Sequence, residues 1–157
     1  MKKQNRAWWA LLLAAAVTVT ACKKDEEQVP EENELITTVT LSFTEVGTTT
    51  ARTVTYKDAD GDGGGAPTIG KLSLAPNKTY DLTVQVLDET KTPVANVGDE
   101  VAEEKDEHLF VYTPMPANLM TVTIIDKDSR NFPVGLRGTA VTGAAGTGKL
   151  QVVLRHQ

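Results

Sequence analysis

Apolar residues alternate one by one with hydroxyl-bearing residues along several stretches of this chain. Between Thr38 and Thr44, threonine or serine alternates with valine, leucine and phenylalanine, and the stretches 53–56 and 80–87 show the same period of two. Successive side chains of a strand point to opposite faces, so this pattern predicts strands with one buried face. The many threonines and valines agree with that prediction, because β-branched residues favour strands.

Further short apolar stretches complete an all-β pattern. They lie at 72–74, 109–113, 120–126, 136–142 and 149–155. Turn-forming residues separate the stretches at 61–65, 75–77, 114–118 and 143–148. Only 99–107 could form a helix, and a loop is the alternative there. About eight strands with regular turns predict an all-β antiparallel β-sandwich of immunoglobulin-like architecture, with a small closed barrel as the competing fold.

The first 21 residues have the three-part layout of a bacterial export signal. A positively charged start is followed by the almost entirely apolar run 7–19, and small residues then lead to Cys22. A membrane-spanning helix needs about 20 apolar residues. This run is shorter, and Thr18 and Thr20 interrupt it. We therefore predict a cleaved signal peptide at 1–21.

The residues that end this signal resemble the lipobox of bacterial lipoproteins. The run is Val19-Thr20-Ala21-Cys22. The resemblance implies that the Cys22 thiol receives a diacylglyceryl group and that Cys22 becomes the first mature residue. Cys22 is the single cysteine, which excludes an intramolecular disulfide. Lipidation explains a lone cysteine in an exported protein, and a buried or incidental cysteine is the alternative.

Lys24-Asp25-Glu26 follows Cys22 closely and resembles the surface-export signal of Bacteroidetes-type lipoproteins. That resemblance implies an outer-membrane lipoprotein that faces outward. Residues 22–34 are acidic and poor in apolar residues, which predicts a flexible tether. The whole chain resembles the short Bacteroidetes lipoproteins of unassigned function, some of which are labelled as a type 1 periplasmic binding fold. That fold requires two α/β lobes, and no strand–helix alternation is present here.

Length and charge limit what the mature chain can do. Residues 35–157 suffice for one domain with a modest core. The net charge is −5, and removal of a signal that carries three basic residues and no acid leaves −8. Nucleic-acid affinity comes mainly from Lys and Arg on phosphates, so this charge argues against nucleic acid as a partner. Cations, metal ions included, would be attracted.

Asp58, Asp60 and Asp62 stand at alternate positions before Gly63 and match the first half of a calcium-binding loop. An EF-hand is excluded, because Ile69 occupies the twelfth position, which requires a bidentate glutamate, and no helical pattern follows. Two interpretations remain. One is a calcium-binding loop between strands, and the other is a flexible Asp/Gly turn.

A second cluster of potential metal ligands ends at His108. If this acidic stretch is helical, Glu104 and His108 lie one turn apart on the same face, and Glu107 is also within reach. With His156, the other histidine of the chain, these residues form a candidate site for zinc or another borderline metal. The alternative is an exposed acidic connection that leads into a strand.

The stretch 143–150 resembles a phosphate-binding loop only superficially. Leu150 occupies the position of the Ser or Thr that ligates magnesium, and a strand pattern follows where a helix should begin. We therefore predict a hairpin turn and no nucleotide binding. The serines lack the sequence context of a nucleophile elbow, and we found no catalytic constellation, so we do not expect an enzyme.

Together these features suggest a lipid-anchored accessory protein without enzymatic activity. It would bind a ligand or an outer-membrane partner such as a nutrient transporter. A sharper version captures a divalent metal at Glu104, Glu107, His108 and His156. The first rival is a structural or adhesive module in which calcium stabilises the Asp/Gly loop, and the second is a small hydrolase.

Overall fold

The structure is a computed structural model that describes residues 35–61 and 63–157. These residues belong to one compact unit, Asn33–Gln157. The expected signal peptide at 1–21, the expected tether at 22–34 and Asp62 lie outside the described residues. The lipidation of Cys22 therefore stays a prediction.

Eight strands and one α-helix make up the described part of the chain. The strands are β1 (Thr38–Glu45), β2 (Ala51–Lys57), β3 (Thr68–Ile69), β4 (Thr79–Leu87), β5 (His108–Met115), β6 (Met120–Ile124), β7 (Arg137–Thr142) and β8 (Lys149–His156). The helix α1 (Val97–Glu103) lies between β4 and β5, and a short 3-10 turn, Ala117–Leu119, precedes β6.

The strands form two antiparallel sheets of very different size. Six strands form the larger sheet, in the order β3-β2-β1-β4-β7-β6, whereas β5 and β8 pair only with each other. Every strand pair is antiparallel. This arrangement confirms the predicted all-β sandwich of about eight strands, and two separate sheets are not the closed barrel that was the alternative.

The period of two in the sequence becomes an inner and an outer face. On β4, Tyr80, Leu82 and Val86 are buried, whereas Asp81 and Thr83 between them are exposed. The buried residues fall into two neighbouring clusters. The first contains Leu41, Phe43, Tyr80, Leu82 and Ala140, and the second contains Val86, Val97, Val101, Phe110 and Val134. Burial of these apolar side chains is the main source of the fold's stability.

Helix α1 closes one end of the second cluster. Val97 and Val101 are four residues apart, which places them on the same side of the helix, and both are buried. Asp99 and Glu100 lie in the first turn, where acidic side chains interact favourably with the helix dipole. The stretch predicted as helix or loop is thus a helix as far as Glu103 and a turn from there to β5.

The predicted strand at 72–74 is not a strand. Leu72 and Leu74 still pack against the first core cluster, which explains their apolar alternation. Hydrogen bonds to side chains hold the end of this segment, in place of a backbone ladder. The Ala75 N–H donates to the Tyr80 hydroxyl oxygen (2.9 Å), and the Thr142 hydroxyl donates to the Ala75 carbonyl (2.8 Å). A tyrosine hydroxyl that hydrogen-bonds to the backbone a few residues upstream also occurs in the tyrosine corner of immunoglobulin-like sandwiches, although here the hydroxyl accepts the bond.

The glycine-rich link at 143–148 is not a hairpin turn. It joins β7 in the larger sheet to β8 in the smaller one, so it crosses between the layers. A Cβ atom at Gly148 would collide with the Met115 carbonyl oxygen, and one at Gly143 would collide with the Asn118 carbonyl oxygen. These glycines allow close backbone approach at the crossing, which accounts for them without a phosphate.

Candidate functional site

The two histidines meet at one end of the smaller sheet. His108 begins β5, His156 ends β8, and the two are partners in the strand register. Their rings pack edge to face, with centroids 5.2 Å apart and planes at 78°. His156 Nε2 lies 3.2 Å from Glu107 Oε2. His108 is only 3% exposed, and its Nδ1 lies 3.1 Å from the Glu104 carbonyl oxygen.

The strand register thus brings three of the four proposed metal-binding side chains together. Glu104 contributes its backbone carbonyl to a contact with His108. No group of three or more His, Cys, Asp or Glu side chains within 35–61 and 63–157 is placed to hold a metal ion. Edge-to-face packing and a carbonyl contact are interactions of packed histidines. Zinc binding here stays a prediction that the contacts do not support.

The Asp/Gly loop places one carboxylate oxygen in an unusual environment. Asp58 directly follows β2, and the Tyr56 hydroxyl donates a hydrogen bond to its Oδ2 (3.2 Å). Its Oδ1 is buried and has no hydrogen-bond partner among the described residues. Burial of an ionised oxygen without a donor or a cation costs free energy, so such an atom requires an explanation.

Asp60 is folded back over the same loop. The Gly65 N–H donates to Asp60 Oδ2 (3.0 Å). This bond, and then a hydrogen bond with the Asp58 side chain, lowers the pKa of the Asp60 carboxyl. A Cβ atom at Gly63 or Gly65 would collide with that carboxylate, so both glycines make room for it. A hydrogen bond between two carboxyl groups requires a proton on one of them. Asp62, the third proposed calcium ligand, lies outside the described residues.

The smaller sheet has one covered edge and one open edge. On the β5 side, the Phe110 N–H donates to the Val134 carbonyl (2.7 Å). On the β8 side, no backbone hydrogen bond joins residues 150–154 to any described residue outside β5. The outer face of this sheet is apolar at its centre, where Val111 and Val153 are directly opposed and Val153 is 37% exposed.

Acidic residues in the loop between β6 and β7 have a structural role that the sequence patterns did not reveal. Asp126 accepts backbone N–H bonds from Gly135, Leu136 and Arg137, at 2.9 to 3.2 Å. Asp128 is buried and accepts the N–H of Arg130 (2.9 Å). Short aspartate-centred turns of this kind are a known use of Asp in loops. The sequence shows only two aspartates, Asp126 and Asp128, in a stretch without strand or helix periodicity. From composition alone, such residues would be taken for exposed surface charges.

No protein-family model, no curated protein and no solved structure matches the chain. The resemblance to Bacteroidetes surface lipoproteins therefore stays a prediction. Within the described residues, no helix has both the length and the apolar character needed to span a membrane.

Proposed function

We propose that this chain is an outer-membrane lipoprotein without enzymatic activity that binds a protein partner outside the cell. Cys22 would carry the lipid, residues 22–34 would form the tether, and the sandwich would present the binding surface. The lipobox-like run at 19–22 and the Lys-Asp-Glu sequence after it support the anchoring and the outward location. An outer-membrane nutrient transporter is one partner of this kind.

The open edge of β8 is the observation that carries the binding role. An edge strand exposes N–H and C=O groups that can pair with another chain. Extended peptides bind many proteins by adding a strand to such an edge. Here the edge extends over residues 150–154 without a further backbone partner among the described residues, next to an outer face with an apolar centre. The contacts of His108 and His156 give no comparable support to metal capture, so we do not carry that version forward.

Site-specific cross-linking in intact cells tests this function. A photoreactive amino acid at Val153, on the open strand, is expected to give a discrete adduct with a second protein. The same amino acid at Thr83, which is exposed on the central strand β4 of the larger sheet, serves as the matched control and is expected to give none. Replacement of Cys22 by serine should release the protein from the membrane and abolish the Val153 adduct. Equal labelling from both positions would contradict the proposal.

A second function is supported by the Asp58 environment. The buried Oδ1 has no described hydrogen-bond partner, and the Asp58 side chain interacts with that of Asp60. Such a pair is suited to a hard cation, which prefers carboxylate and carbonyl oxygens. In this alternative, calcium stiffens the loop of a structural or adhesive module. Calcium is expected to act on stability in this case, whereas the partner-binding role predicts no dependence on calcium.

A further inference from the structure

The open strand has a definite pattern of side chains. Those that face outward are exposed and occur at every second position: Lys149, Gln151, Val153 and Arg155. Those between them are half-buried and pack against the core: Leu150, Val152 and Leu154. A strand added beside β8 would therefore meet apolar side chains on one face, and a cation near each end of the other face.

Lys149 and Arg155 are both exposed, near the two ends of β8. Neither Lys149 nor Arg155 forms an ion pair with a described residue, although Lys57 and Lys78 elsewhere are paired with glutamates. Lys149 and Arg155 lie on the same side of the strand, six positions apart, which corresponds to roughly 20 Å. The chain as a whole is acidic, with a net charge of −5. Two cations without an ion-pair partner in the described part of the chain thus bracket the open edge of an otherwise acidic protein.

We propose that β8 accepts an extended partner segment whose centre is rich in valine or threonine and whose ends each carry an acidic residue. This inference rests on the proposed partner-binding function and names the chemistry of the partner. Backbone hydrogen bonds to residues 150–154 supply the affinity, because strand addition uses main-chain groups. Lys149 and Arg155 select for acidic ends on the partner segment, because opposite charges across neighbouring strands attract and like charges repel.

The same charges argue against a second copy of this chain as the occupant. If β8 paired antiparallel with another β8 about Val152, Lys149 would lie opposite the arginine of the second copy. Like charges directly opposed on neighbouring strands are destabilising. Lysine and arginine on an edge strand are among the devices that prevent self-pairing. The charge pattern therefore favours an acidic partner segment over self-association.

A charge-swap experiment tests this inference. The probe is a capped synthetic peptide with a glutamate at each end and alternating valine and threonine between, long enough to extend from Lys149 to Arg155. Its affinity for the mature full chain in detergent is measured by calorimetry. We expect it to bind about tenfold more tightly than the same peptide with terminal lysines, which corresponds to two weak surface ion pairs. In the double variant Lys149→Glu/Arg155→Glu, this preference should reverse.

Two controls separate the possible outcomes. Arg137→Glu reverses an exposed arginine on β7 of the larger sheet and should leave the preference unchanged. A glutamate-ended peptide with N-methylated amides along one edge cannot complete the ladder and should lose its binding. Equal binding of both peptides, no binding of either, or unchanged preference in the double variant would overturn the acidic-segment inference. A Val153 adduct with a separate surface protein would still stand in that case, so failure here is distinguishable from failure of the proposed function. A Val153 adduct with a second copy would overturn both.

Discussion

His156 packs edge-on against His108, with ring centroids 5.2 Å apart, and this contact joins the first residue of β5 to the last residue of β8. The two rings differ greatly in exposure. His108 is buried at 3% exposure, whereas the side chain of His156 is 52% exposed. The pair thus consists of one core residue and one surface residue that covers it.

Replacement of each histidine by alanine is expected to have unequal effects on stability. His108→Ala removes a buried ring and its contact with the Glu104 carbonyl, so we expect a loss of about 2 kcal/mol in the free energy of unfolding. His156→Ala removes an exposed ring and a surface contact with Glu107, so we expect a loss below about 1 kcal/mol. Urea denaturation of both variants measures this difference. Equal losses in the two variants would show that burial does not determine how much His108 contributes to the free energy of unfolding.

Calcium is expected to stabilise the protein through the Asp58–Asp60 pair if the alternative function is correct. About 1 mM calcium, in the range of extracellular calcium modules, should raise the melting temperature of the wild type, and Asp60→Asn should abolish the rise. Asp81→Asn, at an exposed position of β4, is the matched control and should keep it. Without calcium, Asp58→Asn should be at least as stable as the wild type, because it removes a buried charge that has no described partner at Oδ1. A wild type that does not respond to calcium would rule out the stabilised loop.

Two glycines of the link between β7 and β8 should differ sharply in their tolerance of alanine. Gly148→Ala would drive a Cβ atom into the Met115 carbonyl, so we expect a loss of about 2 kcal/mol or more. A Cβ atom at Gly146 would lie 3.8 Å from its nearest neighbours, which is ordinary contact, so Gly146→Ala should be neutral within about 0.5 kcal/mol. Thermal denaturation of both variants measures the difference. Similar behaviour of the two would argue against close approach as the reason for Gly148.

The Asp126 carboxylate should be a major contributor to the stability of the loop between β6 and β7. Asp126→Ala leaves three backbone N–H groups without their acceptor, so we expect a loss of about 3 kcal/mol. Asp126→Asn keeps one acceptor oxygen and should lose less. Asp81→Ala removes an exposed aspartate and is expected to change stability by less than about 0.5 kcal/mol. Chemical denaturation of the three variants gives the order, and a harmless Asp126→Ala would contradict it.

The bond between Ser129 and Asp106 should make stability depend on pH. The Ser129 hydroxyl, followed by its N–H, lowers the pKa of the Asp106 carboxyl in the folded protein. The folded state therefore binds this proton less readily than the unfolded state. The contribution of the ionised Asp106 carboxylate to the free energy of unfolding is complete above about pH 4. It is lost as the pH falls through the lowered pKa of Asp106. Ser129→Ala should therefore be less stable than wild type at pH 7, and the difference should shrink in acid. A difference that is constant with pH would exclude this origin, and Ser73→Ala is the control.

Strict alternation in the sequence was a reliable guide to the strands, because it reflects burial of one face. It placed β1 and β4 correctly, where Leu41 and Leu82 are buried. It failed at 72–74, where both leucines are packed inward but side-chain hydrogen bonds to Tyr80 and Thr142 replace the ladder. Alternation reports which side chains are buried and does not reveal what the backbone pairs with.

Sheet membership and the candidate sites required long-range information. The turn residues at 143–148 indicate a change of direction but do not say which sheet the next strand joins. The contact between Glu107 and His156 follows from the β5–β8 register, which no local pattern contains. The open edge of β8 likewise depends on the number of strands in each sheet. Local alternation predicted most of the strands, whereas the pairing of distant segments determines which strand edge is left open.

The pairing of β5 has a consequence for how the molecule assembles. β5 pairs with β8. β6 and β7 lie between them in the chain and belong to the other sheet, so they are synthesised before β8. Until residues 149–156 arrive, Phe110 has no strand beside it to complete its layer. Contacts between distant segments form slowly, because a long loop must close first. If the predicted export signal at 1–21 is functional, this late closure would give the chain time to cross a membrane before it folds.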